Sequence, residues 1–244
     1  FGWWHPPAAS TTPGAASCVR GATVVLCPPI GYESVFSYPT QVQIARHLAD
    51  QGLPVLRIDY HGTGDSAGDD RQADRVAAWL ASVEVAVAEA RRRSGGGPIA
   101  LLGIRLGATL AVEAASRLGG VDSLLLWAPC ATGKAFLREM RAQGDAAADG
   151  SLHGFGYHFS AQTVRELEAL DARKPAQVPA RRPLVLLRDD VGVAGPLPSA
   201  LAALGVEIQQ AQLPGYAAMM SGDPAGGVLA AARLDHLSRW LIES

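Results

Sequence analysis

Five short runs of apolar residues, each about one strand long, set the strongest limit on what this chain can fold into. They fall at 22–27, 54–59, 99–103, 121–127 and 183–187. Each is close to continuously hydrophobic. A sheet with one wet face alternates polar and apolar side chains, whereas parallel strands covered on both faces need not. A sixth run, 206–213, alternates more and is expected near a sheet edge. Stretches with helical spacing stand between the runs. Val42, Ala45, Leu48 and Ala49 share one face, and Val76, Leu80, Val83 and Val87 form a longer stripe. Leu106, Leu110 and Ala114 line the next, and Leu229, Leu234, Leu237 and Leu241 the last. The second stripe ends in three arginines, 91–93, and then glycines at 95–97. Cations suit a helix C-terminus and glycine suits the residue beyond it. This βα succession predicts an α/β fold with a mostly parallel, doubly wound sheet. At 244 residues the length fits one domain over 1–244.

One segment breaks the rhythm. Residues 134–180 are too many for a simple crossover. They include the sequence QGDAAADG and a short helical stretch, 160–170. The segment is expected to be a cap or lid over the C-terminal edge of the sheet, the alternative being a surface insertion without a role. It carries His153, Phe155, Tyr157, His158 and Phe159 in a chain that is only 6% aromatic. Such a cluster either closes over a substrate or anchors the excursion to the sheet.

The third crossover reads LGIRLGA over 102–108, after a buried strand and before an Ala-rich helix. That is the setting of a nucleophile elbow, G-x-S-x-G, in which small flanking residues permit a sharp turn. Further motifs occur in order: CPP at 27–29, DYHGTGDS at 59–66 and LWAP at 126–129. On these motifs the chain resembles the α/β-hydrolase superfamily, and within it bacterial serine-aminopeptidase-like and exosortase-associated hydrolases. The resemblance runs from about residue 22 to the C-terminus. It implies the α/β-hydrolase fold with a short cap excursion and a pocket for an acyl or carbonyl compound. It also implies that the elbow position, serine in the family, is Arg105 here. A guanidinium stays protonated and offers no nucleophilic oxygen. The family's acid would fall at Asp189 or Asp190. Its histidine would fall near LPGYA at 213–217, which has none; His236 comes much later, in an amphipathic helix. Ser–His–Asp hydrolysis is therefore not expected.

Arg105 opens a helix, and a helix N-terminus disfavours a cation. It calls for an anion: a carboxylate of the chain, Glu33 first and Asp189 or Asp190 next, or a carboxylate or phosphate from a substrate. Glu33 and His61 are candidate acid–base groups beside it. Cys130, and after it Cys27, is a candidate nucleophile if paired with His61 or His158. Tyr32, His158, Asp189 and Tyr216 are candidate substrate contacts. All are expected at the C-terminal ends of the strands, where open α/β sheets place their sites. The expected function is that of an atypical hydrolase-fold protein, hydrolase-like or lyase/cyclase-like without acyl-serine chemistry. It would act on or bind an acyl or carboxylate-bearing small molecule held by Arg105. Two other readings stay open: a non-catalytic binding or scaffold member, and a cysteine-dependent hydrolase or thioesterase using Cys130.

Composition excludes several partners. Lys plus Arg is 21 against 23 Asp plus Glu, a net charge of -2, so no basic face for nucleic acid is expected. No run approaches 18 apolar residues, so no membrane span is expected. Three scattered cysteines, Cys18, Cys27 and Cys130, without a CxxC, point to neither a disulfide framework nor a metal site. They fit a reducing, cytoplasmic compartment, and no signal-peptide pattern is visible. No cofactor is signalled, because the glycines at 62 and 64 lead into no G-x-x-x-x-G-K-[ST]. The sequence carries no signal for an oligomeric state.

Overall fold

The computed structural model describes residues 1–8, 21–154, 156–191, 195–221 and 229–243; Cys18 and Phe155 lie outside them. The chain runs β1 (Gly2–His5), β2 (Thr23–Cys27), α1 (Tyr32–Asp50), β3 (Val55–Ile58), α2 (Arg75–Ser94), β4 (Ile99–Ile104), α3 (Leu106–Leu118) and β5 (Ser123–Trp127). It continues through α4 (Gly133–Arg141), β6 (Asp145–Ala146), β7 (Leu152–Gly154), β8 (Tyr157–Phe159) and α5 (Ala161–Ala169). The last third is β9 (Arg182–Leu187), α6 (Leu197–Ala202), β10 (Gln209–Gln212), α7 (Tyr216–Met219) and α8 (Ala231–Ile242). The central sheet has the order β1-β3-β2-β4-β5-β9-β10, antiparallel at β1 and parallel elsewhere. This is the α/β-hydrolase architecture.

The apolar runs are continuous because both faces of the sheet are covered. Every residue of β2, β4 and β5 is buried. Successive side chains point to opposite faces, and they sort into two cores accordingly. Val25, Leu101, Leu124 and Leu126 pack with Val76, Trp79, Val83 and Leu110 of α2 and α3. Val24, Leu26, Leu102 and Leu125 pack with Ile44 and Leu48 of α1 and Leu234, Leu237 and Leu241 of α8. In α1 the buried stripe uses Ile44 beside Ala45, Leu48 and Ala49, while Val42 is only half-buried. The sixth run shortens to β10, which lies at the edge as its alternation suggested.

Two parts were not read from the sequence. β1 is a four-residue antiparallel edge strand, with the Arg57 guanidinium 4.5 Å from the Trp3 ring. The excursion holds a small antiparallel sheet, β6-β7-β8, between α4 and α5. Side chains cap both helices: Thr132 accepts from the Ala135 N–H, and Ser160 from the Thr163 N–H. Phe136, Met140, Phe159 and Leu167 join the buried cluster on the α2–α3 side of the sheet. Phe159 meets Phe136 and Trp79 edge-on at 6.1 and 6.5 Å. Apolar packing thus fastens the excursion to the main sheet.

Candidate functional site

β4 ends at Ile104 and α3 begins at Leu106, so Arg105 alone makes the turn, with φ 55° and ψ -123°. A side-chain-bearing residue in such a region costs about 1–3 kcal/mol, so its surroundings must hold it there. Its N–H donates to the Trp127 carbonyl at 3.0 Å, and its carbonyl accepts from the Ala108 and Cys130 N–H groups at 3.1 and 3.4 Å. The turn is therefore tied to the end of β5 as well as to α3.

The Arg105 side chain is 2% exposed, and each of its three nitrogens donates one hydrogen bond. Its Nε donates to Glu33 Oε1 at 2.7 Å, its Nη2 to Glu139 Oε2 at 2.5 Å and its Nη1 to the Ala128 carbonyl at 3.3 Å. Glu33 lies in the first turn of α1, where a carboxylate is favoured by the helix dipole. Burial pushes the Glu33 carboxyl above its ordinary range, and the Arg105 guanidinium opposes that rise. Its second oxygen, Oε2, is buried with no hydrogen-bond partner among the described residues. Glu139 Oε2 also accepts from Arg188 Nη1 at 3.3 Å. Arg188 in turn donates from Nε and Nη2 to Asp190 at 2.8 and 2.7 Å. The Tyr216 ring lies 5.6 Å from the Arg105 guanidinium carbon and 4.5 Å from that of Arg188, within cation–π reach. Two guanidiniums, three carboxylates and one ring thus form a continuous network. It borders a cavity of about 350 Å³ whose wall includes Arg105, Cys130, Arg138, Glu139 and Arg188.

Arg105, Glu33, Cys130 and Tyr216 come together as expected from the sequence. Cys130 is buried, and burial pushes its thiol up to about 12, with Arg105 opposing. Tyr32 opens α1, its ring edge-on to Phe36 at 5.6 Å. The other candidates lie apart. Asp189 does not pair with Arg105: its carboxylate accepts from the Gly215 N–H at 2.5 Å and the Ala217 N–H at 3.2 Å. Backbone donors at the start of a helix have no partner within it, and α7 takes Asp189 as theirs. His61 belongs to the loop after β3, where its N–H donates to Ser82 Oγ and its Nε2 lies 2.7 Å from Gln72 Oε1. His158 sits on β8 with its ring 4.6 Å from that of His153. Among the described residues no histidine hydrogen-bonds or ion-pairs with Arg105, Glu33 or Cys130. Glu139 and Arg188 were missed. The only signals were the apolar Phe136, Leu137 and Met140 around Glu139, which leave it on the rim, and the position of Arg188 directly after an apolar strand.

A second cavity, about 670 Å³, lies between the loop after β2 and the loop after β3, with Ile30, Tyr60, Arg75 and Tyr157 in its wall. Arg75 is buried there, donating from Nη1 to the Asp70 and His158 carbonyls. Among the described residues no group of three or more His, Cys, Asp or Glu could hold a metal ion, and no helix is long and apolar enough to cross a membrane.

Solved structures with the same fold cover nearly the whole chain. Est1E from Butyrivibrio proteoclasticus, with ferulic acid bound, is 14% identical, with a TM-score of 0.64 over 100% of this chain and 92% of its own. A soluble variant of monoglyceride lipase from Saccharomyces cerevisiae, in complex with a substrate analog, is 11% identical, with a TM-score of 0.64 over 98% and 90%. An α/β serine hydrolase without a lid from Xanthomonas campestris is 18% identical, with a TM-score of 0.56 over 98% and 88%. At these identities the likeness is one of fold. No curated protein matches the chain. The family described as serine aminopeptidase, S33, matches residues 22–148, a span that includes the Cys27–Pro29 loop, the Arg105 elbow and the first helix of the excursion. The match takes in just over half of the sequence, and the chain belongs to the serine aminopeptidase S33 family.

Proposed function

We propose that this chain is an atypical α/β-hydrolase-fold protein in which Arg105 stands where the family carries its nucleophilic serine. It binds or turns over a small acyl or carbonyl compound whose anionic group is held at Arg105, without acyl-serine chemistry. The observation that carries this reading is the placement of Arg105. It occupies the strained elbow, and it borders a cavity of about 350 Å³ together with Arg138 and Arg188. That volume is within the usual range for small-molecule sites, roughly 300–1,000 Å³. Glu33, with its carboxyl raised by burial, is the acid–base group closest to hand, and Arg105 would stabilise a carboxylate or enolate beside it. The excursion at 134–180 serves as the cap of this site within a single 1–244 domain. Glu139, reaching from α4 to Arg105, supports that view.

Two other readings are weighed by the same residues. Cysteine catalysis is disfavoured, because a thiol pushed up to about 12 supplies little thiolate at neutral pH. A scaffold role is favoured by one observation, the pairing of Arg105 with Glu33 inside the protein.

Activity-based labelling separates the possibilities. A fluorophosphonate probe is expected to leave the protein unlabelled, and short activated esters should turn over at the background rate. Arg105→Ser alone is expected not to restore hydrolysis, because among the described residues no histidine hydrogen-bonds or ion-pairs at that turn to take the proton. Labelling mapped by peptide mass spectrometry to Ser66 or another serine would show a relocated nucleophile and overturn the reading.

A further inference from the structure

We infer that Glu139 is a displaceable internal carboxylate, holding the place between Arg105 and Arg188 that the carboxylate of a compact organic acid takes. This rests on the reading of the Arg105 cavity as a small-molecule site, and it adds the ligand class and the contact that gates its entry.

The first argument is the sharing of one atom. A single oxygen, Oε2, receives both Arg105 Nη2 and Arg188 Nη1. Two guanidiniums converging on one oxygen form a ready receptor for a carboxylate. The second argument is what remains when Glu139 leaves. Arg105 keeps Glu33, and Arg188 keeps Asp190. Breaking a buried pair is costly when it strands a charge, and here neither arginine is stranded. Exchange of Glu139 for a monocarboxylate also leaves the local charge unchanged.

The third argument is access. Glu33 has a side-chain exposure of 4%, and Glu139 one of 37%. Of these two carboxylates on Arg105, Glu139 alone lines the cavity, so a ligand would meet it first. Glu139 is carried by α4, a nine-residue helix that also brings Arg138 to the cavity wall. Arg138 is exposed at that rim and adds positive charge at the entrance. Val185, Leu187 and Leu197 complete the wall with apolar surface. The site therefore suits an acid with a small apolar body. A cavity of about 350 Å³ fits such a compact acid better than a long acyl chain.

The test is calorimetric titration with benzoate and butyrate, each beside its neutral amide, at neutral pH. The proteins are wild type, Glu139→Gln and Glu139→Ala, with melting curves to confirm that they fold. Removing the internal competitor lifts a population penalty on the open site, so both variants are expected to bind the carboxylates about tenfold more tightly than wild type does. The amides should show no such gain. Arg188→Gln added to Glu139→Gln should remove it. Equal carboxylate affinity in wild type and the Glu139 variants would overturn the displacement while leaving the anion-binding cavity standing. An equal gain for the amides would also overturn it, because space and not charge would be the cause. Absence of carboxylate binding in all three proteins would overturn both this inference and the anion-binding reading of the cavity.

Discussion

Arg105→Leu is expected to lower stability by about 3–5 kcal/mol, the usual cost of removing one partner from a buried pair. For a chain of this length that corresponds to a fall in melting temperature on the order of 10 °C. The cause would be the acid left behind. Glu33 is nearly as buried as Arg105, and among the described residues its carboxylate accepts from the Arg105 Nε alone. Its other oxygen has none among the described residues. Replacing both residues, Glu33→Leu with Arg105→Leu, should recover much of the loss, because apolar side chains of similar size often replace buried ion pairs without penalty. The single variant should also show a telling pH dependence. Burial raises the Glu33 carboxyl even with Arg105 present, and without Arg105 that rise goes unopposed. The folded variant then holds the Glu33 proton more tightly than the unfolded chain does. At a pH below the ordinary carboxylate range both states are protonated and the fold pays no charge penalty. As pH rises through the raised value, the fold must bury a naked carboxylate and stability falls. The deficit relative to wild type should therefore be smaller near about pH 5 than near about pH 8. Urea melts at the two pH values measure this directly. Equal deficits at both would remove the unpaired carboxylate as the cause.

What could be read from the sequence follows from how local each feature is. The strands β2, β4 and β5 declared themselves because burial on both faces demands apolar residues at every position. The elbow was legible because a turn that tight needs small neighbours, and Gly103 and Gly107 bracket Arg105. Glu33 followed from charge: a buried cation at a helix start needs an acid, and Glu33 comes a few residues after the first parallel strand, at the same end of the sheet. Glu139 was not legible, because its meeting with Arg105 spans 34 positions and depends on how the excursion folds back. The same holds for Asp189, whose partners are backbone N–H groups 26 and 28 positions away. His61 stood at the right strand end, yet the loop after β3 turns it to Gln72 and Ser82. The strands of the cap are two or three residues long, too short for any period to show.

Gly107→Ala should be among the most damaging single-methyl changes in the protein, costing about 3 kcal/mol, at the upper end of what overpacking does. Gly107 is the second residue of α3, where that helix crosses the end of β2. A methyl group there would overlap the carbonyl oxygens of both Cys27 and Pro28. These are backbone atoms. A flexible side chain can swing aside, whereas Cys27 is held in register with Gly103 of β4. Relief would have to come from moving the α3 N-terminus away from the loop after β2. That loop leads within a few residues to Glu33, so the movement would also separate Glu33 from Arg105. The cost of Gly107→Ala should thus be partly shared with the ion pair. Measured in the Glu33→Leu/Arg105→Leu background it should be smaller than in wild type, as expected of coupled neighbours. Gly195→Ala is the control: a methyl group there meets no atom within 4 Å among the described residues, and stability should change by no more than about 0.5 kcal/mol. Urea melts of the variants and their combination provide the measurement. A Gly107→Ala protein that melts with wild type would mean that this glycine does not fix the approach of α3 to β2, and that the elbow owes its position to the Arg105 network instead.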